Sequence, residues 1–479
     1  MPTECLRTRR ALPQNLRALS STRQVAHAVW LALAASCATY EAQPLDAQRA
    51  RIGFEARSFD DPALIEFARG RLAADAVFPP QRWDLASLTL VAFHEHPDLA
   101  VARAEIEVAR AKSITAAQRP NPTLGLDQEY LTNPASGVNP WLFGFHLDIP
   151  IETGAKRDVR IDTAKRELEL AELGVDQVAW RVRNDLRAAF VDHALAQREY
   201  QLAGEELTLQ REAVAVLRQR FDAGDVSRPD VASAEIAAAQ TELELGQLDG
   251  RVRTSRAALA GALGMPESAL AGVEFDFDAL RTPPPTPEVA RARDLALNDR
   301  IDVRRARIEY ELAELRLHAA VNAQYPDVHL APGYTYDHGE HKYAFGAAFE
   351  IPLFNMNEGQ IAEARASRGA AAQGFDAVQT HVLTALDEAR AQHAGALAQL
   401  ERARALALRG RERVDAEQRA FDLGASDHLA LVAARLQSAL LERAQLEALG
   451  RVQEAQTALE DVMQRPLENA MELGPEPQR

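Results

Sequence analysis

The stretch Phe143-Gly144-Phe145-His146-Leu147-Asp148-Ile149-Pro150-Ile151 returns later in the chain as Phe345-Gly346-Ala347-Ala348-Phe349-Glu350-Ile351-Pro352-Leu353. Both copies share one skeleton: Phe-Gly, three residues, an acid, Ile-Pro and a branched aliphatic residue. Working outward, Phe221-Asp222-Ala223-Gly224 returns as Phe421-Asp422-Leu423-Gly424, and Gly250-Arg251-Val252 as Gly450-Arg451-Val452. Pro266 returns as Pro466, and Pro122 as Pro326. These markers keep their order at an offset of about 200 residues, which identifies a tandem duplication.

Each copy of the opening stretch alternates in the way a half-buried strand does. Trp141, Phe143, Phe145, Leu147 and Ile149 alternate with Leu142, Gly144, His146 and Asp148; Tyr343, Phe345, Ala347, Phe349 and Ile351 do the same in the second half. Partner strands precede them, so strands are expected at about 123–131, 141–151, 328–336 and 343–353. The loops between them hold Asn133-Pro134 and Gly137 in one half and Asp337 to His341 in the other, giving two hairpins. Helical stretches lead into the hairpins, Leu85 to Gln118 and Pro287 to Ala323.

Very long helices are expected after each hairpin, since no proline lies between Pro150 and Pro229 or between Pro352 and Pro466. The first carries a seven-residue seam, with Val175, Val182, Ala189, Ala196, Ala203, Gln210 and Leu217 on one line. Ala179, Leu186, His193, Tyr200, Leu207, Val214 and Phe221 form the other, which is a coiled-coil signature. Gly224 and Pro229 then reverse the chain, and Asp422 to Asp427 reverse it in the second half. The organisation expected is a signal or lipoprotein segment (1–37), an N-terminal lead (38–83), a first repeat (84–266), a proline-rich linker (267–290), a second repeat (291–467) and a disordered polar tail (468–479).

Bulk properties exclude several classes. The 479 residues carry a net charge of −16, the wrong sign for gripping phosphate, so no nucleic-acid partner is expected. The two cysteines, Cys5 and Cys37, fall in the first forty residues, which leaves no disulfide framework in the body. No phosphate loop, nucleophile motif or metal cage is present, so no enzyme activity, cofactor or resident metal is expected. Asp337-His338-Gly339-Glu340-His341 crowds ligand-type side chains together but reads as a solvated loop tip. Arg7, Arg9, Arg10, Arg17 and Arg23 followed by the apolar Val25 to Ala35 form an export signal. Small residues then lead into Cys37, the pattern of a bacterial lipoprotein acylated at that cysteine, although Ala34 stands where leucine is usual.

No apolar run is long enough for a membrane helix, so a membrane can be crossed only by strands. Four strands cannot close a barrel, and copies of the chain must supply the rest: two would give eight strands, three would give twelve and room for a lumen. The order of helix, strand hairpin and long coiled-coil hairpin, twice repeated, resembles the TolC family of outer-membrane efflux proteins. The residues that carry the resemblance are the strand ends ending in Ile-Pro, the Phe-Asp-x-Gly tips and the proline-rich junction, over about residues 84–467. It implies a fold that is mainly α with a membrane β-barrel, assembled as a homotrimeric tunnel in outer-membrane lipid and extending into the periplasm. The implied partners are a periplasmic adaptor (membrane fusion protein) and an inner-membrane RND-type pump. Ala223 to Ser227 and the lead around Phe59-Asp60-Asp61-Pro62 are most similar to the heavy-metal, cobalt–zinc–cadmium branch. The same duct serving a drug or organic-compound pump is the alternative, and a periplasmic adaptor-type coiled coil is a more distant one.

The tips of the helical hairpins are the candidate site. Gly224 and Gly424 stand where positive φ is needed. The resemblance implies that a carboxylate six residues after the first tip glycine helps to hold the periplasmic entrance shut, and Asp230 occupies that place. The family's partners for it are replaced by Ser426 and Phe421, and its ring of aspartates by Ala430 and Ala433. Asp225 and Asp427 are therefore candidate aperture residues, with solvated helix caps as the other reading. Arg228, the sole cation within either turn, is expected to tether Asp230 and the second tip. Of the remaining histidines, His94 and His96 are placed on the first helix and His193 beside Tyr200 in the seam.

Overall fold

The structure, a computed structural model, describes residues 40–72 and 77–467; the expected signal segment with Cys37 and the expected tail lie outside the described residues. It divides into one unit ending at Phe54, which holds most of helix α1 (Ala47–Glu55), and a second starting at Glu55. All that follows concerns the second unit.

Helix α2 (Pro62–Arg69) starts behind Asp61, whose carboxylate accepts from the Ala63 amide, with proline in the first turn. The helical stretch from Leu85 is two helices, α3 (Leu85–Glu95) and α4 (Pro97–Ala117). Pro97 brings no N–H and holds His96 in an extended conformation. His96 is accordingly the N-cap of α4 and lies on neither helix, while the His94 ring meets the Glu95 carboxylate at 2.8 Å. Then come β1 (Thr123–Tyr130), β2 (Trp141–Ile151), α5 (Lys156–Ala223) and α6 (Arg228–Leu263). After two short 3-10 turns the second half repeats the plan: α7 (Val289–Asn298), α8 (Ile301–Asn322), β3 (Val328–Asp337), β4 (Glu340–Phe349), α9 (Glu358–Asp422) and α10 (His428–Met463). Among the described residues no helix is long and apolar enough to cross a membrane.

β4 begins three residues before the expected 343 and stops at Phe349, so Ile351 and Leu353 lie beyond it. The reason is the turn. His338 and Gly339 both have positive φ (51° and 117°), which closes a two-residue hairpin and draws Glu340 and His341 into the ladder. The four strands form one antiparallel sheet in the order β1-β2-β3-β4. β2 and β3 come from different repeats and pair with Phe145 opposite Tyr334 and Phe143 opposite Tyr336.

The 68 residues of α5 make a rod of about 100 Å. Along its seam Val175, Val182, Leu186, Ala196, Ala203, Leu207 and Val214 are buried, while Tyr200 and Phe221 are exposed. His193 is buried too, but not beside Tyr200. It packs edge-on against Phe275 at 5.7 Å and bonds the Ser255 hydroxyl at 3.0 Å. Burial lowers its pKa, which keeps the ring neutral. The main core gathers Phe59, Phe78, Trp83 and α3 around Val182, Leu186 and Phe190 of α5 and Leu259 and Leu263 of α6. Across the repeats, Leu173 of α5 packs on Ile308 and Leu312 of α8.

The two repeats also meet through buried charge. Arg187 of α5 is 1% exposed and Glu460 of α10 is fully buried. Arg183 reaches Glu460 at 2.9 Å and Arg187 at 3.5 Å, while Arg187 also donates to Oε1 of Gln453 at 2.8 Å and to the Thr457 hydroxyl. Gln456 donates to the other Glu460 oxygen at 2.9 Å. Glu460→Ala leaves two guanidinium groups without their anion and is expected to destabilise the protein by about 3–5 kcal/mol. Adding Arg187→Met should recover part of that loss, read as thermal unfolding midpoints in detergent. Equal midpoints for parent and Glu460→Ala would show that water replaces the carboxylate without cost.

Candidate functional site: the hairpin tips and the two faces of the sheet

Both long hairpins end in the same backbone device. The Gly224 amide donates to the Phe221 carbonyl at 2.9 Å and the Asp225 amide to the Arg220 carbonyl at 2.8 Å. Gly424 and Ala425 repeat these bonds to Phe421 and Ala420 at 2.9 and 2.8 Å. This is the Schellman closure, which needs positive φ at the glycine, and Gly224 and Gly424 have φ of 85° and 73°. No atom lies within 4 Å of where a Cβ would stand at either position, so backbone conformation alone demands glycine.

The tip side chains divide otherwise than the sequence suggests. Asp230 turns back on its own helix, accepting from the Ser227 amide at 2.9 Å and the Ser227 hydroxyl at 2.5 Å. Those bonds close a capping box and hold its carboxyl below the usual range. Arg228 is exposed at the first position of α6 and forms no ion pair among the described residues. Within the chain it does not meet Asp230, because the unpaired donors of the helix start claim that carboxylate first. Asp225 is exposed on the turn.

The link between the hairpins is made by Arg220 of α5, which meets Asp427 at 2.8 Å. Asp427 also caps α10, accepting from the Ala430 amide at 2.8 Å. Arg220 and the cap together lower its pKa. A depressed carboxyl contributes at neutral and mildly acidic pH, and its contribution is lost only as pH falls through the lowered value. A second link joins His428 of α10 to Glu212 of α5 at 2.7 Å, with the His428 ring packed 5.6 Å from that of Phe421. Arg220, Glu212 and His428 were missed by sequence reasoning because they flank the turns. The signal available was the duplication, which sets Asp427 against the N-cap Ser227.

At the other end of the hairpins, cross-strand partners share a face, which sorts the sheet into two. One face carries Leu124, Leu126, Trp141, Phe143, Phe145, Leu147, Tyr334, Tyr343, Phe345 and Phe349. Its rings form a ladder, Tyr130 to Trp141 at 4.7 Å, Phe145 to Tyr334 at 5.6 Å and Tyr334 to Tyr343 at 5.3 Å. Phe345 is 76% exposed and Tyr343 84%, an apolar surface built to meet apolar surroundings. The opposite face bears Asp127, Glu129, His146, Asp148, His329, Thr335 and Lys342 among glycines and alanines. In the expected histidine-rich loop, Nδ1 of His338 bonds the Asn139 carbonyl and Nδ1 of His341 the Tyr334 hydroxyl, both at 2.7 Å, and the two do not converge on one point.

A family model described as "Outer membrane efflux protein" matches residues 91–265 and 292–463. The cobalt-zinc-cadmium resistance protein CzcC of Cupriavidus metallidurans is 27% identical over 217 residues, 45% of this chain and 51% of that protein. The nickel-cobalt-cadmium resistance protein NccC of Alcaligenes xylosoxydans xylosoxydans is 27% identical over 317 residues, 65% of this chain and 69% of that protein. The chain thus spans about half the length of CzcC and a little over two thirds of NccC. The fold is similar to that of the outer membrane protein VceC of Vibrio cholerae, with a TM-score of 0.64 at 20% identity, covering 80% of this chain and 97% of that one.

The double use of Asp427 gives a test. Asp427→Asn keeps a capping oxygen but loses the ion pair, whereas Asp427→Ala loses both. Amide exchange in the first turn of α10 should rise little in the Asn variant and by the equivalent of about 0.5–2 kcal/mol in the Ala variant. Equal exchange in the two variants would mean that the Arg220 contact, not the cap, holds the turn.

Proposed function

The chain belongs to the outer membrane efflux protein family, and on that premise we propose that it is the outer-membrane exit duct of a tripartite efflux system. The observation that carries the reading is the two-faced sheet whose outer strands, β1 and β4, have no partner on their far sides among the described residues. Unbonded backbone groups are not tolerated in hydrocarbon, so the sheet must be continued by other copies. Three copies, with β4 of one beside β1 of the next, give a twelve-stranded barrel that encloses a lumen, whereas eight strands would fill with side chains. The aromatic face then meets lipid and the polar face lines the lumen.

In this arrangement the helical hairpins run through the periplasm and their tips form the entrance, where a periplasmic adaptor and an inner-membrane RND-type pump deliver cargo. Arg220–Asp427 and Glu212–His428 hold the two hairpins of each chain together there. Each exposed link is worth only about 0–1 kcal/mol, so threefold repetition matters more than any one bond. Acylation of Cys37 would add an anchor at the membrane. The resistance named for CzcC and NccC supports divalent transition-metal cations as the cargo.

Two measurements test the reading. Detergent-purified protein should have the mass of three chains by light scattering, and a stable folded monomer would sink the barrel. A deletion strain should become sensitive to cobalt, zinc or cadmium. Sensitivity confined to lipophilic drugs would remove the metal assignment and leave the duct.

A further inference from the structure

The polar face of the sheet carries two imidazole–carboxylate pairs that neither the tips nor the aromatic face uses. Asp127 of β1 and His146 of β2 meet at 3.1 Å between Oδ2 and Nδ1. Asp148 of β2 and His329 of β3 meet at 2.9 Å between Oδ1 and Nδ1. All four residues share one face: Asp127 stands opposite Gly144, His329 stands opposite Pro150, and residues two apart on β2 point the same way. Glu129 lies on the same face, as do Asp337 and Glu340 toward the β3–β4 turn, where Lys342 is paired with Asp337.

The backbone is cleared for one of these rings. Gly125 stands opposite His146, and a Cβ there would fall 2.3 Å from Cε1 and 2.4 Å from Nε2 of the imidazole. The ring occupies the space that any other residue at 125 would fill, and so lies along the sheet toward Asp127. Its other neighbour across the ladder is also a glycine, Gly333.

The donor chemistry points to a cation. Imidazole nitrogen and carboxylate oxygen together suit zinc and similar divalent metals. Two such donors in a tetrahedral shell, with bonds of about 2.0–2.1 Å, stand about 3.3 Å apart. The pairs observed are within a few tenths of an ångström of that spacing, so an ion can replace the shared proton with little movement. Each pair offers only two ligands, and no group of three or more ligating side chains that could hold a metal occurs among the described residues. Water must complete the shell, which makes binding weak and exchange fast. The four side chains are about half exposed, which leaves that water access.

We propose that these two pairs form a low-affinity belt for divalent transition-metal cations, a staging point on the way through the sheet's inner side. The pairs are staggered about 7 Å along β2, so an ion can pass from one to the next. The proposal rests on the duct reading for its placement in a lumen, but not for its ligand chemistry.

Detergent-purified protein would be titrated with ZnCl2 by calorimetry at neutral pH, with MgCl2 as the control, and the same protein reconstituted in planar bilayers. The expected result is a saturable zinc signal that magnesium does not give, and a reversible zinc-dependent drop in potassium conductance. His146→Asn combined with His329→Asn should abolish both, the zinc-dependent drop being read against that variant's own conductance in zinc-free buffer. Gly125→Ala, which displaces the His146 ring without touching a ligand, should weaken zinc binding as well. Zinc binding and block that survive in the double variant overturn the belt and leave the duct standing. Parent protein that binds zinc through these residues yet forms no conducting pore overturns the duct and supports the ligand pairs.

Discussion

A four-stranded antiparallel sheet leaves two rows of backbone N–H and C=O groups unbonded, here along the free sides of β1 and β4. In water such groups are solvated. In hydrocarbon each costs several kcal/mol, and the exposed aromatic face of this sheet is suited to apolar surroundings. The two demands are reconciled only by further strands, and the described chain has already placed all of its strands in this one sheet. On the duct reading proposed above, assembly follows from backbone hydrogen bonding before it is a matter of side-chain contacts.

The duplication creates a second problem, which is how two similar halves hold one register. Long helices with a seven-residue seam can slide by a heptad and still bury apolar residues. Contacts between the repeats remove that freedom at several heights. In the sheet, Phe145 faces Tyr334. At the foot of the strands Lys156 meets Asp327 at 2.8 Å and Thr153 bonds the same carboxylate through its amide. In the helical body Arg183 and Arg187 converge on the buried Glu460, and beyond them Arg443 joins Glu206 and Glu244. Buried charges add little net stability, but a slip by one heptad would strand them without partners, so they select one register.

At the tips the same few polar atoms serve backbone and tertiary needs together. Asp230 is spent on its own helix start, and Asp427, the corresponding cap of the second hairpin, is placed so that its other oxygen faces Arg220. The asymmetry between two duplicated turns, serine with a reaching aspartate in one and a direct aspartate cap in the other, is what leaves one carboxylate available for the neighbouring hairpin.

The sequence by itself determined the duplication, the four strands, the two long hairpins and the glycines at their tips. All of these are written in periodicity or in backbone conformation, which depend on neighbours within a few residues. It was less reliable where local alternatives compete: β4 began earlier than its aromatic alternation because the His338-Gly339 turn is tight, and Pro97 split a helix that looked continuous. It could not supply the partners of the charged side chains. Arg228 is next to the tip in the chain but is exposed and forms no ion pair among the described residues, while Arg220, in the last turn of α5, reaches Asp427. Likewise His146 and Asp127, or His329 and Asp148, become pairs only when strands from one or both repeats are laid side by side. Those choices belong to the tertiary structure because they are fixed by the relative register of segments as far as two hundred residues apart, set by packing and buried charge over their whole length and not by any local pattern.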